Sequence, residues 1–110
     1  ELAPNIIRLP IIPEGCEHNA HMFYILLEDS LVRDNLINHL KKNSIQSVFH
    51  YVPLHSSIAG SKFGTFIGGD VNTTNLSARL LRLPLWYGMD LNNVEFICEK
   101  IKEFFGQINR

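Results

Sequence analysis

The feature that most limits the fold is the apolar segment HMFYILL, which covers residues 21–27. It is rich in residue types that favour β-strands, and polar residues bound it on both sides. A short apolar segment of this kind predicts a strand that is covered on both of its faces. The chain has 110 residues, enough for one small domain, so this strand is expected to lie at the centre of a single core.

Two amphipathic helices are predicted to cover this strand. Asp29 or Ser30 can cap the first helix, whose apolar face comprises Val32, Leu36, Ile37 and Leu40. Asn92 and Glu95 have the spacing of a capping box for the last helix, which Gly106 is expected to end. The apolar face of that helix comprises Val94, Ile97, Cys98, Ile101, Phe104 and Phe105.

The segments between these helices predict further strands and a long loop. Residues 47–52 predict a second strand, and a glycine-rich loop follows at 54–72. A short helix is expected near 73–81. Residues 82–86 predict a strand that Pro84 restricts to the sheet edge. The predicted fold class is therefore α+β, with a small sheet of about three strands and helices packed on one face.

The start of the chain predicts an extended lead-in. Four residues there exclude a helix: Pro4, Pro10, Pro13 and Gly15. The chain also begins with Glu1 rather than Met. We therefore expect residues 1–17 to lead in from a missing upstream domain, and residues 18–110 to form the domain itself.

Composition argues against several classes of function. The net charge is −1, whereas binding to the phosphate backbone of nucleic acids favours a strongly basic chain. No apolar segment reaches about 18 residues, so the sequence predicts no membrane span. The two cysteines lack a paired spacing, which is typical of a reducing compartment and favours the cytoplasm.

Four histidines are candidate zinc ligands: His18, His21, His50 and His55. The spacing of His18 and His21 occurs in zinc sites. His50 and His55 are an odd number of residues apart, so a straight strand would point them to opposite faces. No thiolate pair or H-E-x-x-H motif accompanies them, and a metal is not expected. A small metal-binding module remains an alternative, whereas no G-x-S-x-G motif supports a serine nucleophile.

The end of the second strand is a better candidate site. Alternation places Tyr51 on one face with Phe49, and His50 on the other face with Val48. Polar rings at a strand end can line a pocket with hydrogen-bond donors. His50, Tyr51 and His55 suit a phosphate or sugar hydroxyls. They are equally typical of satisfied side chains at a domain surface, and the residue types leave both interpretations open.

Three stretches at matching spacings resemble one known family: HNAHMFYILLED (18–29), VFHYVPLHSS (48–57) and LSARLLRLPLWYGMD (76–90). They resemble the C-terminal segment of the DegT/DnrJ/EryC1/StrS sugar aminotransferases. Within that family they are most similar to the transaminases that act on dTDP-4-keto-6-deoxy-D-glucose. The resemblance extends from about Leu9 to Phe105.

The resemblance implies the small C-terminal domain of a fold-type I, pyridoxal-phosphate-dependent transferase that works as a homodimer. Such an enzyme transfers an amino group from glutamate to the keto carbon of a nucleotide sugar. The implied product serves surface polysaccharides such as lipopolysaccharide and enterobacterial common antigen. None of the five lysines matches the family's Schiff-base motif. The catalytic residues and the cofactor site are therefore expected upstream, and the chain alone is expected to be inactive and to bind no cofactor.

Five residues match the family's substrate site by motif position: Asn19, His21, His50, Tyr51 and His55. The resemblance implies that Asn19 and His21 open the first strand beside the cleft. It places Tyr51 and His55 near the sugar or diphosphate, and the loop at 54–72 at the rim. The alternative function is a stand-alone interaction or regulatory domain derived from an aminotransferase tail.

Overall fold

Four strands and four helices make up the fold in the computed structural model, which describes residues 6–108. The strands are β1 (Ile6–Arg8), β2 (Phe23–Leu27), β3 (Val48–Phe49) and β4 (Leu80–Leu83). The helices are α1 (Ser30–Lys42), α2 (Ile58–Phe63), α3 (Thr73–Arg79) and α4 (Leu91–Ile108). The strands form one antiparallel sheet in the order β1-β2-β4-β3, which confirms the predicted α+β class.

The core lies on the face of the sheet that carries Ile25, Leu27 and Leu81. These side chains share a face because Ile25 pairs with Leu81 and strand residues two apart point the same way. They pack in one buried cluster with residues of α1 and α4: Leu36, Leu40, Ile97, Ile101, Phe104 and Phe105. Burying an aliphatic or aromatic side chain contributes about 1.5–3 kcal/mol. Leu26 is buried too, so β2 is covered on both faces as predicted.

The caps of the two long helices follow local sequence signals. Asp29 caps α1 as predicted, because its Oδ1 accepts a hydrogen bond from the backbone N–H of Val32 at 2.8 Å. The capping box predicted from Asn92 is wrong. The Asp90 Oδ1 accepts from the backbone N–H of Asn92 at 2.8 Å, so Asp90 satisfies the start of α4. The helix also continues past Gly106, which was expected to end it.

Two strands extend the sheet differently from the prediction. β1 lies in the segment expected to be a lead-in, and it pairs with β2. Ile6 is buried in the core cluster, so this segment adds a fourth strand to the three predicted ones. The edge position predicted for residues 82–86 is wrong, because β4 pairs with β2 on one side and β3 on the other. Pro84 lies just beyond β4, where its missing N–H interrupts no ladder bond.

The second predicted strand is shorter, and the long loop is more ordered, than expected. β3 has two residues instead of the six at 47–52. A 3₁₀ turn at Leu54–Ser56 and the helix α2 fill the first part of the predicted loop. They pack so closely that a Cβ atom on Gly60 would lie 1.6 Å from the carbonyl oxygen of Leu54. Glycine is therefore required there. Among residues 6–108, no helix is both long and apolar enough to cross a membrane.

Candidate functional site

The first polar group of interest lies on the face of the sheet that points away from the core. Arg82 pairs with Tyr24 in β2 and with Val48 in β3, so its side chain lies opposite the buried Leu81. Its Nη1 donates to the Nδ1 of His50 at 3.3 Å and lies 3.5 Å from the hydroxyl oxygen of Tyr51. These three residues, Arg82, His50 and Tyr51, are called the Arg82 cluster below.

The rings of His50 and Tyr51 lie together in this cluster. Their centroids are 3.7 Å apart, with 32° between the ring planes. The prediction that they face opposite sides of the sheet is therefore wrong. Strand alternation applies only inside a strand, and β3 ends at Phe49. The Tyr51 side chain is exposed, so one flank of the cluster is open to a ligand.

Electrostatics identify what this cluster lacks. The pKa of His50 is lowered from its ordinary value of 6.5, first by burial of the ring, then by the positive charges of Arg82 and His21. The two charged side chains that lower this pKa, Arg82 and His21, are both basic. The Nδ1 and hydroxyl oxygen that contact Arg82 carry no formal negative charge. The arrangement suits an oxyanion, which would be held by a guanidinium, a phenol hydroxyl and nearby imidazoles.

His21 and Asn19 lie just before β2, as the sequence placed them. The Asn19 Oδ1 accepts from the backbone N–H of His21 at 3.1 Å, and the His18 Nδ1 accepts from the backbone N–H of Ala20 at 2.9 Å. Asn19 and His18 therefore shape the local turn that precedes the strand. His21 is exposed, and it is close enough to influence the charge of His50.

His55 belongs to a different group of side chains. Its Nε2 lies 2.8 Å from the Asp70 carboxylate and 3.2 Å from the Thr74 hydroxyl, and its ring lies against Phe66 with centroids 4.4 Å apart. The hydroxyl and the backbone N–H of Thr74 both donate to the Asp70 carboxylate. These contacts join the 3₁₀ turn to the start of α3. The four residues His55, Asp70, Thr74 and Phe66 are called the His55 clasp.

The clasp satisfies its own charges. The pKa of Asp70 is lowered, first by the hydrogen bond from the Thr74 hydroxyl, then by the Thr74 backbone N–H and by His55. The carboxylate form is therefore stabilised by donors within the chain. Asp70 and Thr74 both contact the Nε2 of His55, so the clasp holds the segment at 54–72 in place.

The structure thus divides the five predicted site residues. His50 and Tyr51 are in direct contact, and His21 acts on His50 through its charge. His55 is held by the clasp, and Asn19 shapes a turn. Arg82 and Asp70 were missed. The signal for Arg82 is a single charge between apolar neighbours in LLRL, whereas Asp70 has no such local signal.

Among the side chains of residues 6–108, we find no arrangement that fits a metal or pyridoxal phosphate. Within residues 6–108, no group of three or more histidine, cysteine, aspartate or glutamate side chains could hold a metal ion. Lys100 pairs with Glu103, and Lys62 lies over the exposed ring of Phe63. The other three lysines are exposed on helices: Lys41, Lys42 and Lys102. A lysine that binds an aldehyde cofactor is activated by desolvation or by a neighbouring cation, whereas Lys100 is paired with a carboxylate and the other four lysines are exposed.

The fold and the site define a small α+β domain that presents a cationic and aromatic cluster on the sheet face away from its core. The model of the DegT/DnrJ/EryC1/StrS aminotransferase family matches residues 2–102, and the chain belongs to this family.

Solved structures agree with this assignment. An aminotransferase from Brucella abortus of the same family is 28% identical, with a TM-score of 0.76 over 90% of this chain. The aminotransferase TlmJ from Streptoalloteichus hindustanus has the same fold, with 21% identity and a TM-score of 0.79 over 94% of the chain. A protein named as a sugar aminotransferase from Streptococcus pneumoniae, solved in its PMP form, has 22% identity and a TM-score of 0.66 over 92%. The chain spans 27%, 26% and 27% of the TlmJ, Brucella and Streptococcus chains, about a quarter of each.

Proposed function

We propose that this chain is the small domain of a pyridoxal-phosphate-dependent sugar aminotransferase. In this proposal residues 18–110 form the domain, and residues 1–17 connect it to a cofactor domain while contributing β1. The parent enzyme transfers an amino group from glutamate to dTDP-4-keto-6-deoxy-D-glucose, for lipopolysaccharide or enterobacterial common antigen. We place it in the cytoplasm, as a homodimer. The cofactor supplies the electron sink of this reaction, and the residues of this chain act on the sugar substrate.

The observation that carries the proposal is the Arg82 cluster on the sheet face opposite the core. Tyr51 and His50 present two tilted rings in contact and a hydroxyl there, and His21 lies nearby. We assign these three residues to the nucleotide-sugar site. Asn19 contributes by shaping the turn before His21, and His55 contributes by fixing the loop at the rim.

The exposed apolar side chains of the loop support a partner domain in the parent. Six large side chains from the 3₁₀ turn up to α3 are exposed: Leu54, Ile58, Phe63, Phe66, Ile67 and Val71. A set of exposed apolar side chains within one segment, here called the apolar patch, is typical of an interaction surface. Since the matched structures are about four times longer than this chain, we propose that the patch packs against the remainder of the parent enzyme.

The test is steady-state kinetics of the parent enzyme with the variants Tyr51→Phe and His55→Ala. Both variants are expected to raise KM for the nucleotide sugar more than KM for glutamate. Tyr51→Phe removes a hydroxyl that contacts the substrate, and His55→Ala releases the loop. A substrate-binding role predicts this difference between the two KM values, because glutamate is bound by other residues. Equal changes for both substrates would contradict the assignment.

A second experiment tests whether the chain itself binds the cofactor. The activity and the coding sequence of the parent then separate this proposal from a stand-alone interaction domain, which the exposed apolar loop also supports. Pyridoxal phosphate is added to the purified 110-residue chain, and its absorbance spectrum is recorded. We expect the spectrum of free cofactor, because the lysines do not fit a cofactor site. Transaminase activity of the parent enzyme would favour the small-domain assignment. A natural start codon directly before Glu1 would favour the stand-alone domain.

A further inference from the structure

Arg33 is a largely buried cation that belongs to neither the Arg82 cluster nor the His55 clasp. It lies in the first turn of α1, and only 14% of its side chain is exposed. Its Nε and Nη2 lie 2.9 and 2.8 Å from the Oδ1 of Asp34, whose side chain is 58% exposed. Because one partner of this ion pair is open to solvent, the pair contributes little, and other contacts decide where the guanidinium lies.

The other contacts of Arg33 reach two different segments. Its Nη1 donates to the backbone carbonyl of Ser77 at 3.2 Å. That carbonyl lies in the last turn of α3, where carbonyl groups lack partners within the helix, so the guanidinium satisfies this end of α3. The guanidinium also lies over the ring of Phe49, with its Cζ 5.6 Å from the ring centroid. Arg33 therefore joins α1 to the end of α3 and to the end of β3.

These two segments lead to the two groups of polar side chains. Phe49 is the last residue of β3 and directly precedes His50 of the Arg82 cluster. α3 carries Thr74 of the His55 clasp near its start. Because α1 packs in the buried core, a single guanidinium places the approach to both groups relative to one fixed helix.

We propose that Arg33 is a positioning residue that holds the segment following β3 at a fixed distance from α3. It thereby sets the geometry of the Arg82 cluster relative to the loop at its rim. This inference rests on the proposed function, in which the sugar substrate is bound beside that loop. Arg33 acts through Phe49 and Ser77 rather than as a contact of the sugar. A lysine would not do the same, because an ammonium lacks the planar fork that stacks on a ring while it donates to a carbonyl.

The first test follows the His50 imidazole by NMR in the 110-residue chain and compares Arg33→Met with the unmodified protein. The charges that lower the pKa of His50 are those of Arg82 and His21, so a change caused by Arg33→Met reports movement of the ring. We expect this pKa to rise toward 6.5, because a segment that is no longer held exposes the ring, and we expect the Thr74 amide signal to shift.

This measurement distinguishes positioning from a general loss of stability. A variant that is only less stable keeps the same His50 pKa in its folded state. Unchanged His50 and Thr74 signals in folded Arg33→Met would therefore overturn the proposal.

Two further variants control the test. Lys102→Met removes one positive charge from the exposed side of α4, and it is expected to leave the His50 and Thr74 signals unchanged. The same shifts in Lys102→Met would overturn the proposal, since they would follow from net charge alone. Arg33→Lys keeps the charge without the planar fork, and it is expected to shift the His50 signal less than Arg33→Met. If Arg33→Met does not fold, an unchanged His50 pKa in Arg33→Lys would overturn the proposal.

Steady-state kinetics of the parent enzyme separate this inference from the proposed function. Arg33→Met is expected to raise KM for the nucleotide sugar by about two- to thirtyfold, the range typical of coupling through packed contacts, and to leave KM for glutamate unchanged. An active parent whose Arg33→Met variant keeps the KM of the unmodified enzyme for the sugar would overturn the positioning role alone. Coupled shifts of His50 and Thr74 in the chain of a parent that does not transaminate would support the positioning role and contradict the proposed function.

Discussion

The Arg82 cluster and the His55 clasp come from one short stretch of sequence, yet they differ in how their charges are satisfied. His50 and His55 both lie in VFHYVPLHSS, five residues apart. In the clasp, the imidazole meets the carboxylate of Asp70 and the hydroxyl of Thr74. In the cluster, the imidazole meets the guanidinium of Arg82. The ring of one histidine lies against a carboxylate, and the ring of the other lies beside a guanidinium.

This difference separates a structural role from a binding role. An imidazole beside a carboxylate is stabilised within the chain, and it fastens two segments together. An imidazole beside a guanidinium is destabilised in its charged form, and an anion from outside removes that cost. We therefore expect changes at the clasp to act through the stability of the loop at the rim, and changes at the cluster to act directly on ligand binding.

The largest expected effect comes from the segment that carries the clasp. Gly60→Ala places a methyl group against the Leu54 carbonyl, so the 3₁₀ turn and α2 must separate. Overpacking of this kind costs about 1–3 kcal/mol, measurable as the free energy of unfolding in urea. The matched control is Gly69→Ala, where a Cβ atom meets nothing within 4 Å. Equal stability in the two variants would show that this close approach does not exist in solution.

A smaller effect is expected from the carboxylate of the clasp. Asp70→Asn removes the charge that His55 and Thr74 contact, so amide hydrogen exchange at Thr74 is expected to accelerate. Asp34→Asn, at an exposed aspartate that pairs with Arg33, is the control, and it should leave exchange at Thr74 unchanged. Similar exchange rates at Thr74 in both variants would contradict the clasp.

The same carboxylate predicts a pH dependence whose sign follows from its pKa. The pKa of Asp70 is lower in the folded chain than its ordinary value of 3.8. Its stabilising contribution is therefore complete above that ordinary value, and it is lost as the pH falls through the lowered pKa. Slower exchange at Thr74 on acidification below this value, after correction for the intrinsic exchange rate, would contradict the assignment.

The smallest effect is expected at the cluster itself, in the absence of a ligand. Arg82→Gln removes one of the positive charges that lower the pKa of His50, so this pKa is expected to rise. It should stay below 6.5, because burial of the ring makes the largest contribution and is retained. NMR titration of the imidazole measures both values, and Lys102→Gln should leave the pKa unchanged. An unaltered pKa in Arg82→Gln would show that the guanidinium does not act on His50.

Local signals predicted the parts of the fold that depend on neighbours in sequence. The Asp29 cap and the apolar faces of α1 and α4 were predicted because each is set within one or two helical turns. The position of β4 was not, since Pro84 alone does not show which residues pair. The ladder ends at Leu83, so the proline marks the end of an interior strand.

The candidate site was only partly predictable for the same physical reason. The motif stretches pointed to five residues as parts of one site: Asn19, His21, His50, Tyr51 and His55. In the structure His55 contacts Asp70, and Asn19 shapes a local turn. The contact between Arg82 and His50 joins residues 32 apart in the chain, and that between His55 and Asp70 joins residues 15 apart. Such contacts depend on strand register and loop conformation, which single-residue patterns do not contain.

The most direct test of the central claim compares the two histidines in the same spectra. The 110-residue chain is titrated with thymidine diphosphate, and the imidazole signals of His50 and His55 are followed together. We expect a saturable shift at His50, and a His55 signal that stays in place because Asp70 and Thr74 hold the ring. A saturable shift at His55 with no change at His50 would contradict it.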